Sequence, residues 1–171
     1  FFFNFLFLII IKPICTTFIK HNSTITTSQS HKVFNSMSLH YLVTGGAGYI
    51  GSHTLIEMLQ AGYTPVVLDN FSNSSNKVFD RLKTITGTGI KVINGDIRDR
   101  KLLDDIFAEH DARNTPIQGV IHFAALKAVG DSVKRPLEYY ENNVAGTVTL
   151  LQAMLAAGVN RIVFSSSATV Y

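Results

Sequence analysis

Residues 39–51 read LHYLVTGGAGYIG, and this stretch decides the fold of the chain. A short apolar run of the kind that forms a buried strand comes first, over residues 39–43, and a glycine-rich turn follows it. A helix is predicted over residues 49–61, because Leu55 and Leu59 lie one turn apart and Gly62 provides a C-terminal stop. Strand, glycine-rich turn and helix in this order are typical of the first unit of a doubly wound α/β protein.

The glycines at positions 45, 48 and 51 have separate predicted roles. Gly45 permits the tight turn, Gly48 lets a pyrophosphate approach the backbone, and Gly51 lets the helix pack closely on the strand. Phosphates would sit on the free N–H groups at the start of the helix. The alternative is a loop that merely turns the chain, but the position of the motif between a strand and a helix favours dinucleotide binding.

The same alternation of strands and helices continues to the end of the chain. Further strands are predicted over residues 66–68, 91–94, 120–123 and 161–164, and further helices over 77–86, 99–110 and from Pro136 to Gly158. Short apolar strands joined by helices predict a parallel sheet covered on both faces, with right-handed crossovers. The predicted fold class is therefore α/β, a doubly wound parallel sheet of the Rossmann type that is truncated after strand five. Ligands of such sheets bind at the carboxyl ends of the strands.

Asp69, at the end of the second strand, is the first candidate at these strand ends. It follows Gly51 by 18 residues, and a carboxylate there can accept hydrogen bonds from both hydroxyls of an adenosine ribose while repelling a 2′-phosphate. No arginine adjoins it, so the sequence favours NAD over NADP. The alternative is a cap for the loop 70–73.

The later strand ends carry further candidates. Asp96 could bond an adenine edge or cap the helix that follows. His122, inside the fourth strand, is expected to be a hydrogen-bonded core residue, because no second His or Cys stands at metal-ligand spacing, and no metal site is predicted. Lys127 could reach a phosphate or ribose, or be a solvated surface lysine. The hydroxyls of residues 165–171 would face a nicotinamide or form a polar turn.

Composition and charge exclude several classes of protein. The 171 residues are 46% hydrophobic and 16% charged, which excludes a solvated, disordered chain, and a single cysteine excludes a disulfide framework. The net charge of +3 lies entirely in residues 1–36, which hold three lysines and no acid, whereas the remaining residues hold 12 basic and 12 acidic side chains. The neutral body predicts neither a nucleic-acid nor a membrane partner.

Residues 1–36 differ in character from the rest of the chain. They begin with FFFNFLFLIII, which is too short to span a bilayer, and no basic region precedes it as in a signal peptide. A mitochondrial transit peptide would favour arginine, and this segment has none. The chain begins with Phe, and its first methionine is Met37. We predict that residues 1–36 are a disordered leader or lie outside the natural mature protein, and that residues 37–171 form an NAD-binding Rossmann domain.

Six segments together resemble one known family. They are VTGGAGYIGSH (43–53), LDNFSNS (68–74), GDIR (95–98), HFAALKAVGDSV (122–133), PLEYYENNVAGT (136–147) and FSSSATVY (164–171). The set resembles the extended short-chain dehydrogenase/reductase family. The LKAVG and PLEYYENN segments are similar to its UDP-sugar 4-epimerases rather than to its dehydratases or decarboxylases.

The resemblance implies a function and a set of site residues. The function is an isomerase of galactose metabolism that interconverts UDP-glucose and UDP-galactose by transient oxidation at C4 with NAD, in a cytoplasmic homodimer. Lys127 and Ser167 would contact the substrate, and Ser167 matches the serine that bonds the substrate hydroxyl beside the catalytic tyrosine. The resemblance implies that the following residues line the NAD site: Tyr49, Ile50, Asp69, Asn70, Phe71, Ser72, Asn73, Ser74, Asp96, Ile97, Phe123, Ala124, Ala125, Leu126, Lys127 and Asn142.

The chain departs from the family pattern in two places. The resemblance implies that the Tyr-x-x-x-Lys pair and the substrate domain of the family lie beyond Tyr171, so that the NAD-binding domain is incomplete, and Ala125 stands where epimerases usually have glycine. We therefore expect the 171 residues alone to be inactive, and to be poorly stable because apolar helix faces and a sheet edge would be uncovered. The alternatives are a non-catalytic NAD-binding regulatory module and another member of the family that modifies nucleoside-diphosphate sugars.

Overall fold

Five parallel strands form one sheet in the computed structural model, which describes residues 39–166. The strands are β1 (His40–Thr44), β2 (Thr64–Asp69), β3 (Lys91–Asn94), β4 (Ile117–His122) and β5 (Ile162–Phe164). Their order in the sheet is β3-β2-β1-β4-β5. The direction of winding reverses between β1 and β4, which leaves a crevice at their carboxyl ends. The predicted doubly wound fold is confirmed.

Helices cover both faces of this sheet. They are α1 (Tyr49–Gln60), α2 (Lys77–Thr86), α3 (Arg100–Ala112), α4 (Val129–Lys134), α5 (Pro136–Tyr139) and α6 (Gly146–Ala156), with a π-helical turn (Tyr140–Ala145) between the last two. The N-cap of α3 is Asp99, whose carboxylate accepts the Leu102 N–H at 3.0 Å. Asp96 was one candidate for this cap, and that alternative is wrong because the helix begins four residues after it.

The core has two layers because successive strand residues point to opposite faces of the sheet. Val43 and Val67 pack with Leu55 of α1 and other buried side chains on one face. Their strand neighbours, Leu42 and Leu68, pack on the other face with apolar side chains of α3 and α6, such as Leu103 and Leu150. All of these side chains are fully buried, as expected for parallel strands that are covered on both faces.

Helix α2 and strand β3 have their predicted bounds, five other elements differ from the prediction by one or two residues at an end, and two elements differ more. The fourth strand begins at Ile117 and ends at His122 instead of spanning 120–123, because Gln118 and Gly119 interrupt the apolar run that guided the prediction. The helix predicted from Pro136 to Gly158 is divided by the π-helical turn. Helix α4 was not predicted, because the segment is short, its two valines are a single apolar pair, and none of its residues is buried.

One apolar face of the divided helix is exposed. Leu150, Ala153 and Met154 of α6 pack into the core, whereas a second row of large apolar side chains is from 39% to 82% exposed. This row consists of Leu137, Tyr140, Val144, Val148, Leu151 and Leu155. Uncovered apolar helix faces were expected, but the spacing of these six residues is that of a core-facing stripe, so the exposure of this row was not predicted.

Two predictions fall outside the described residues. They are the leader at residues 1–36 and the substrate contact of Ser167. Between residues 39 and 166, no helix has the length and apolar character needed to cross a membrane.

Candidate functional site

A cleft of about 280 Å³ opens at the carboxyl ends of β1, β2 and β4. Its walls are the glycine-rich turn, the loop after β2, the loop after β4 and the π-helical turn. All but three of the residues predicted to bind the cofactor line it, and the exceptions are Phe71, Ser74 and Asp96. The predicted residues in the cleft are Gly45, Gly48, Tyr49, Ile50, Gly51, Asp69, Asn70, Ser72, Asn73, Ile97, Phe123, Ala124, Ala125, Leu126, Lys127 and Asn142. Leu68, Gly95 and Ser165 line it as well.

The glycine-rich turn leaves no room for side chains at its two ends. Gly45 has φ +70°, and a Cβ atom there would lie 2.6 Å from the backbone nitrogen of Ala124. A Cβ at Gly51 would collide with the carbonyl oxygen of Gly45 and lie 2.8 Å from Cα of Gly46. The tight turn and the close packing of α1 predicted for these two glycines are therefore observed.

The N-terminus of α1 provides unpaired backbone donors. Gly48 is the N-cap residue and has no side chain to cap the helix, and the first turn contains no acidic residue. The first bond of the helix runs from the Ser52 N–H to the Gly48 carbonyl at 2.9 Å, so the N–H groups of residues 49–51 have no partner within the helix. These donors and the positive end of the helix dipole fit the pyrophosphate of a dinucleotide.

Asp69 joins the glycine-rich turn to the loop after β2. The side chain is buried, and Oδ2 accepts the Ala47 N–H at 2.9 Å. Oδ1 accepts the Phe71 N–H at 2.9 Å and the Ser74 hydroxyl at 3.1 Å. The loop-capping role is therefore observed. A carboxylate has about four acceptor positions, so about one is left for a ligand in the cleft, and the contact with both ribose hydroxyls stays a prediction.

Asp96 is fully occupied by neighbouring donors. Its Oδ1 accepts the backbone N–H and the Nε–H of Arg98, each at 2.9 Å, and its Oδ2 accepts Nη2 of Arg98 and Nδ2 of Asn70. The bonds from Arg98, more than the bond from Asn70, hold the pKa of Asp96 at about 2 despite partial burial. Asp96 does not line the cleft, whereas its neighbours Gly95 and Ile97 do. The adenine contact of Asp96 stays a prediction.

His122 is a buried core residue with both ring nitrogens paired, as predicted. Its Nε2 lies 3.0 Å from the Thr147 hydroxyl, and that hydroxyl donates to the Asn143 carbonyl at 2.6 Å. Because the Thr147 proton is used there, Nε2 of His122 must donate, and Thr44 donates to Nδ1 at 2.6 Å. Burial lowers the pKa of His122 to about 4.

The neutral state of His122 makes the stability depend on pH. In the unfolded chain the ring binds a proton near pH 6.5, whereas in the folded chain it stays neutral down to about pH 4. The unfolded state therefore binds more protons in this window, and stability falls as pH falls. We expect about 2 kcal/mol less free energy of unfolding at pH 5 than at pH 7 from His122 alone. Burial lowers the pKa of His40 and His110 too, which adds in the same direction.

Urea unfolding at pH 7 and pH 5, together with NMR of the imidazole nitrogens, measures this effect. The control is His122→Gln, which removes the buried ring and is therefore expected to lose this part of the pH dependence. A folded chain in which the His122 ring titrates near pH 6.5 would contradict the prediction.

Asn143 and Thr147 are site residues that the sequence reasoning missed. Nδ2 of Asn143 donates to the Leu126 carbonyl at 2.7 Å, and its Oδ1 accepts the Leu126 N–H at 2.8 Å. Asparagine is unfavourable inside a helix unless its side chain finds a specific partner. The consecutive Asn142 and Asn143 in mid-helix were the signal that could have revealed this contact.

Lys127 is exposed at the rim of the cleft. It also borders an adjoining groove of about 610 Å³ together with Arg98 and Arg135. A lysine in this position can reach a phosphate in the cleft, but it is equally able to remain in solvent. Its contact with a phosphate, a ribose or a substrate stays a prediction.

A larger groove of about 640 Å³ lies at the opposite end of the sheet, near the start of β4. It is lined by one side of α3, by the C-terminal end of α6 and by Arg161, and it contains none of the predicted site residues. Over residues 39–166, no group of three or more His, Cys, Asp and Glu side chains is placed to hold a metal ion.

The sheet order and the glycine-rich turn at its switch point define a protein of the doubly wound Rossmann class. The family model described as GDP-mannose 4,6 dehydratase matches residues 42–171. The chain belongs to this family.

The most similar relatives include UDP-glucose 4-epimerases, in agreement with the predicted resemblance. The chain is 59% identical over 133 residues to UDP-glucose 4-epimerase of Yersinia pestis, an alignment that covers 78% of this chain and 38% of the relative. It is similar to the enzyme from Stenotrophomonas maltophila crystallised with NAD and formylated UDP-arabinopyranose (TM-score 0.73, 49% identity, covering 78% of this chain and 38% of that one). It is also similar to the enzyme from Bifidobacterium longum in complex with NAD+ and UDP (TM-score 0.72, 50% identity, covering 77% and 38%). The chain thus spans 38% of the length of these relatives.

Proposed function

We propose that the cleft binds NAD and that the whole protein interconverts UDP-glucose and UDP-galactose. One observation carries the NAD proposal: the uncapped N-terminus of α1 lies beside a glycine-rich turn at the switch point of the sheet. The similar epimerases crystallised with NAD support it. When bound, NAD supplies the hydride chemistry at C4 of the hexose.

The residues of this chain bind and orient the cofactor in this proposal. The N–H groups at the start of α1 bind the pyrophosphate. The space beside Gly48 is open to it, because the one protein atom within 4 Å of a Cβ built at Gly48 is the Gly45 carbonyl oxygen, at 3.3 Å. Asp69 borders the adenosine ribose and its negative charge disfavours a 2′-phosphate. Lys127 and Ser167 are proposed to contact the substrate.

The proton transfer at the C4 oxygen requires a general acid and base. None of the six tyrosines of the chain is followed by a lysine four residues later. We therefore expect the 171 residues to bind NAD without turnover.

The family model begins at residue 42, which supports our proposal that the NAD-binding domain starts near Met37 and that residues 1–36 stand outside it.

An assay with UDP-galactose and NAD tests the proposed activity. The 171-residue chain is expected to produce no UDP-glucose, whereas the protein encoded by the complete reading frame is expected to produce it. Turnover by the 171 residues would contradict the expectation that they lack the general acid and base of the reaction. A complete protein that binds NAD but converts neither sugar would favour the regulatory module instead.

The exposed apolar row on α5, the π-helical turn and α6 supports the homodimer implied by the resemblance. We propose that a second copy of the whole protein covers part of this row. Leu155→Glu is expected to weaken the dimer at least tenfold, because Leu155 is 82% exposed and a buried glutamate would have no partner. Sedimentation equilibrium measures this change, and Gln152→Glu on the same helix is the control. Equal dimer stability in both variants would contradict the proposal.

A cytoplasmic location stays a prediction.

A further inference from the structure

The loop 123–127 supplies five consecutive residues to the wall of the cleft. It joins the end of β4 to the region before α4 and belongs to no helix or strand. At its start, the Phe123 N–H donates to the Thr44 carbonyl at 2.9 Å, which continues the sheet. Three residues later the backbone is held in a different way, by a side chain.

That side chain is Asn143, which pairs with both backbone groups of Leu126. Its amide donates to the Leu126 carbonyl at 2.7 Å and accepts the Leu126 N–H at 2.8 Å. The orientation of the amide is fixed, because its Oδ1 also accepts from Nδ2 of Asn142 at 2.9 Å. A flipped amide would place a donor against the Leu126 N–H, so only this orientation satisfies all three bonds.

Asn143 is itself held by a chain of buried and partly buried hydrogen bonds. Its carbonyl accepts the Thr147 hydroxyl, Thr147 accepts from His122, and His122 accepts from Thr44. Thr44 ends β1 and directly precedes Gly45. This series of hydrogen bonds therefore connects the start of the glycine-rich turn to the loop on the other side of the cleft.

The π-helical turn places two neighbouring asparagines at the cleft together. Asn142 is buried and lines the cleft, while Asn143 contacts the loop. Gly146, which follows the turn, packs against Ile97 so closely that a Cβ would lie 2.7 Å from its Cδ1 atom. Interruptions of this kind in a helix are frequent at functional sites.

We propose that Asn143 is a positioning residue that holds the loop 123–127 in its cleft-lining conformation before a cofactor arrives. The consequence for affinity rests on the proposed binding of NAD, because a preformed wall spares the ligand the cost of ordering the loop. Asn143 makes no contact with the cofactor in this proposal and acts through Leu126.

The test compares Asn143→Ala with the wild-type chain by amide hydrogen exchange and by calorimetric titration with NAD. In the variant, the Leu126 amide is expected to exchange at least tenfold faster, while the Phe123 amide keeps its protection because its bond to Thr44 is intact. The Kd for NAD is expected to rise about tenfold, while the melting temperature is expected to change little.

A matched pair of threonine variants provides a second test. Thr147 and Thr149 both donate to the carbonyl four residues earlier, but only Thr147 contacts His122. Thr147→Val is expected to weaken NAD binding about threefold, and Thr149→Val to leave it unchanged.

Several results would overturn the inference. One is an unchanged Kd in folded Asn143→Ala, and another is a uniform loss of amide protection, which would mark a general structural role. If Asn143→Ala fails to fold, equal effects of the two threonine variants would overturn it. If the wild-type chain does not bind NAD, the proposed function fails, while the Leu126 exchange rate still decides whether Asn143 holds the loop.

Discussion

Gly45→Ala is expected to abolish detectable NAD binding and to lower the free energy of unfolding by about 3 kcal/mol. The left-handed backbone, with φ +70°, costs an alanine about 1 kcal/mol. The new Cβ would lie 2.6 Å from the nitrogen and 2.8 Å from the Cα of Ala124, and overpacking of this kind costs about 1–3 kcal/mol. Relief requires the glycine-rich turn and the loop 123–127 to move apart, and both are walls of the cleft.

Gly87→Ala is the matched control for this variant. Gly87 ends α2 with the same φ of +70°, but a Cβ there would meet nothing within 4 Å. This variant is expected to lose only the backbone contribution of about 1 kcal/mol and to bind NAD as the wild type does. Urea unfolding and calorimetric titration measure both quantities. Wild-type affinity in folded Gly45→Ala would show that the turn does not shape the binding site.

Asp69→Ala is the second substitution with a large expected effect. It leaves the N–H groups of Ala47 and Phe71 and the hydroxyl of Ser74 without their acceptor. The free energy of unfolding is expected to fall by about 3 kcal/mol. Each unpaired buried polar group costs about 1–3 kcal/mol, and some of the three donors can form hydrogen bonds with water instead, which reduces the total. The NAD affinity is expected to fall about 100-fold, since both the glycine-rich turn and the loop after β2 lose their common anchor.

Cofactor preference gives Asp69 a readout that a purely structural role would not change. The wild type is expected to prefer NAD over NADP by about 100-fold, because the carboxylate repels a 2′-phosphate. In Asp69→Ala this ratio is expected to fall below about tenfold. Asp80→Ala, on the exposed face of α2, is the control and should keep the wild-type ratio. Equal affinities of the wild type for both cofactors would contradict the role of Asp69.

The elements that the sequence predicted correctly have strong local signals. Helix α2 was predicted with its observed bounds because Gly87 terminates it, and β3 was predicted because its apolar residues stand between Gly89 and Gly95. Helix α4 was missed because it buries nothing. The π-helical turn was missed because it depends on how the helix packs against Ile97 and Leu126, which no local period reveals.

In the site, too, features that depend on neighbouring residues were predicted, whereas contacts between residues distant in the sequence were not. The glycine-rich turn is a contiguous motif, and its predicted geometry is observed. Thr44, Asn143 and Thr147 were not singled out, because their partners lie 78, 17 and 25 residues away in the chain. Asp96 was assigned two alternative roles, and the donor that occupies it, Arg98, is only two residues away. That pairing was accessible from the sequence.

Calorimetric titration of the purified chain with NAD is the sharpest test of the proposed cofactor site. We expect one NAD bound per folded chain, with an affinity well above that for NADP and with no binding by Gly45→Ala. This expectation depends only on the geometry of the cleft and not on whether the chain turns over a sugar nucleotide. A wild-type chain that unfolds cooperatively and yet binds neither NAD nor NADP would contradict it.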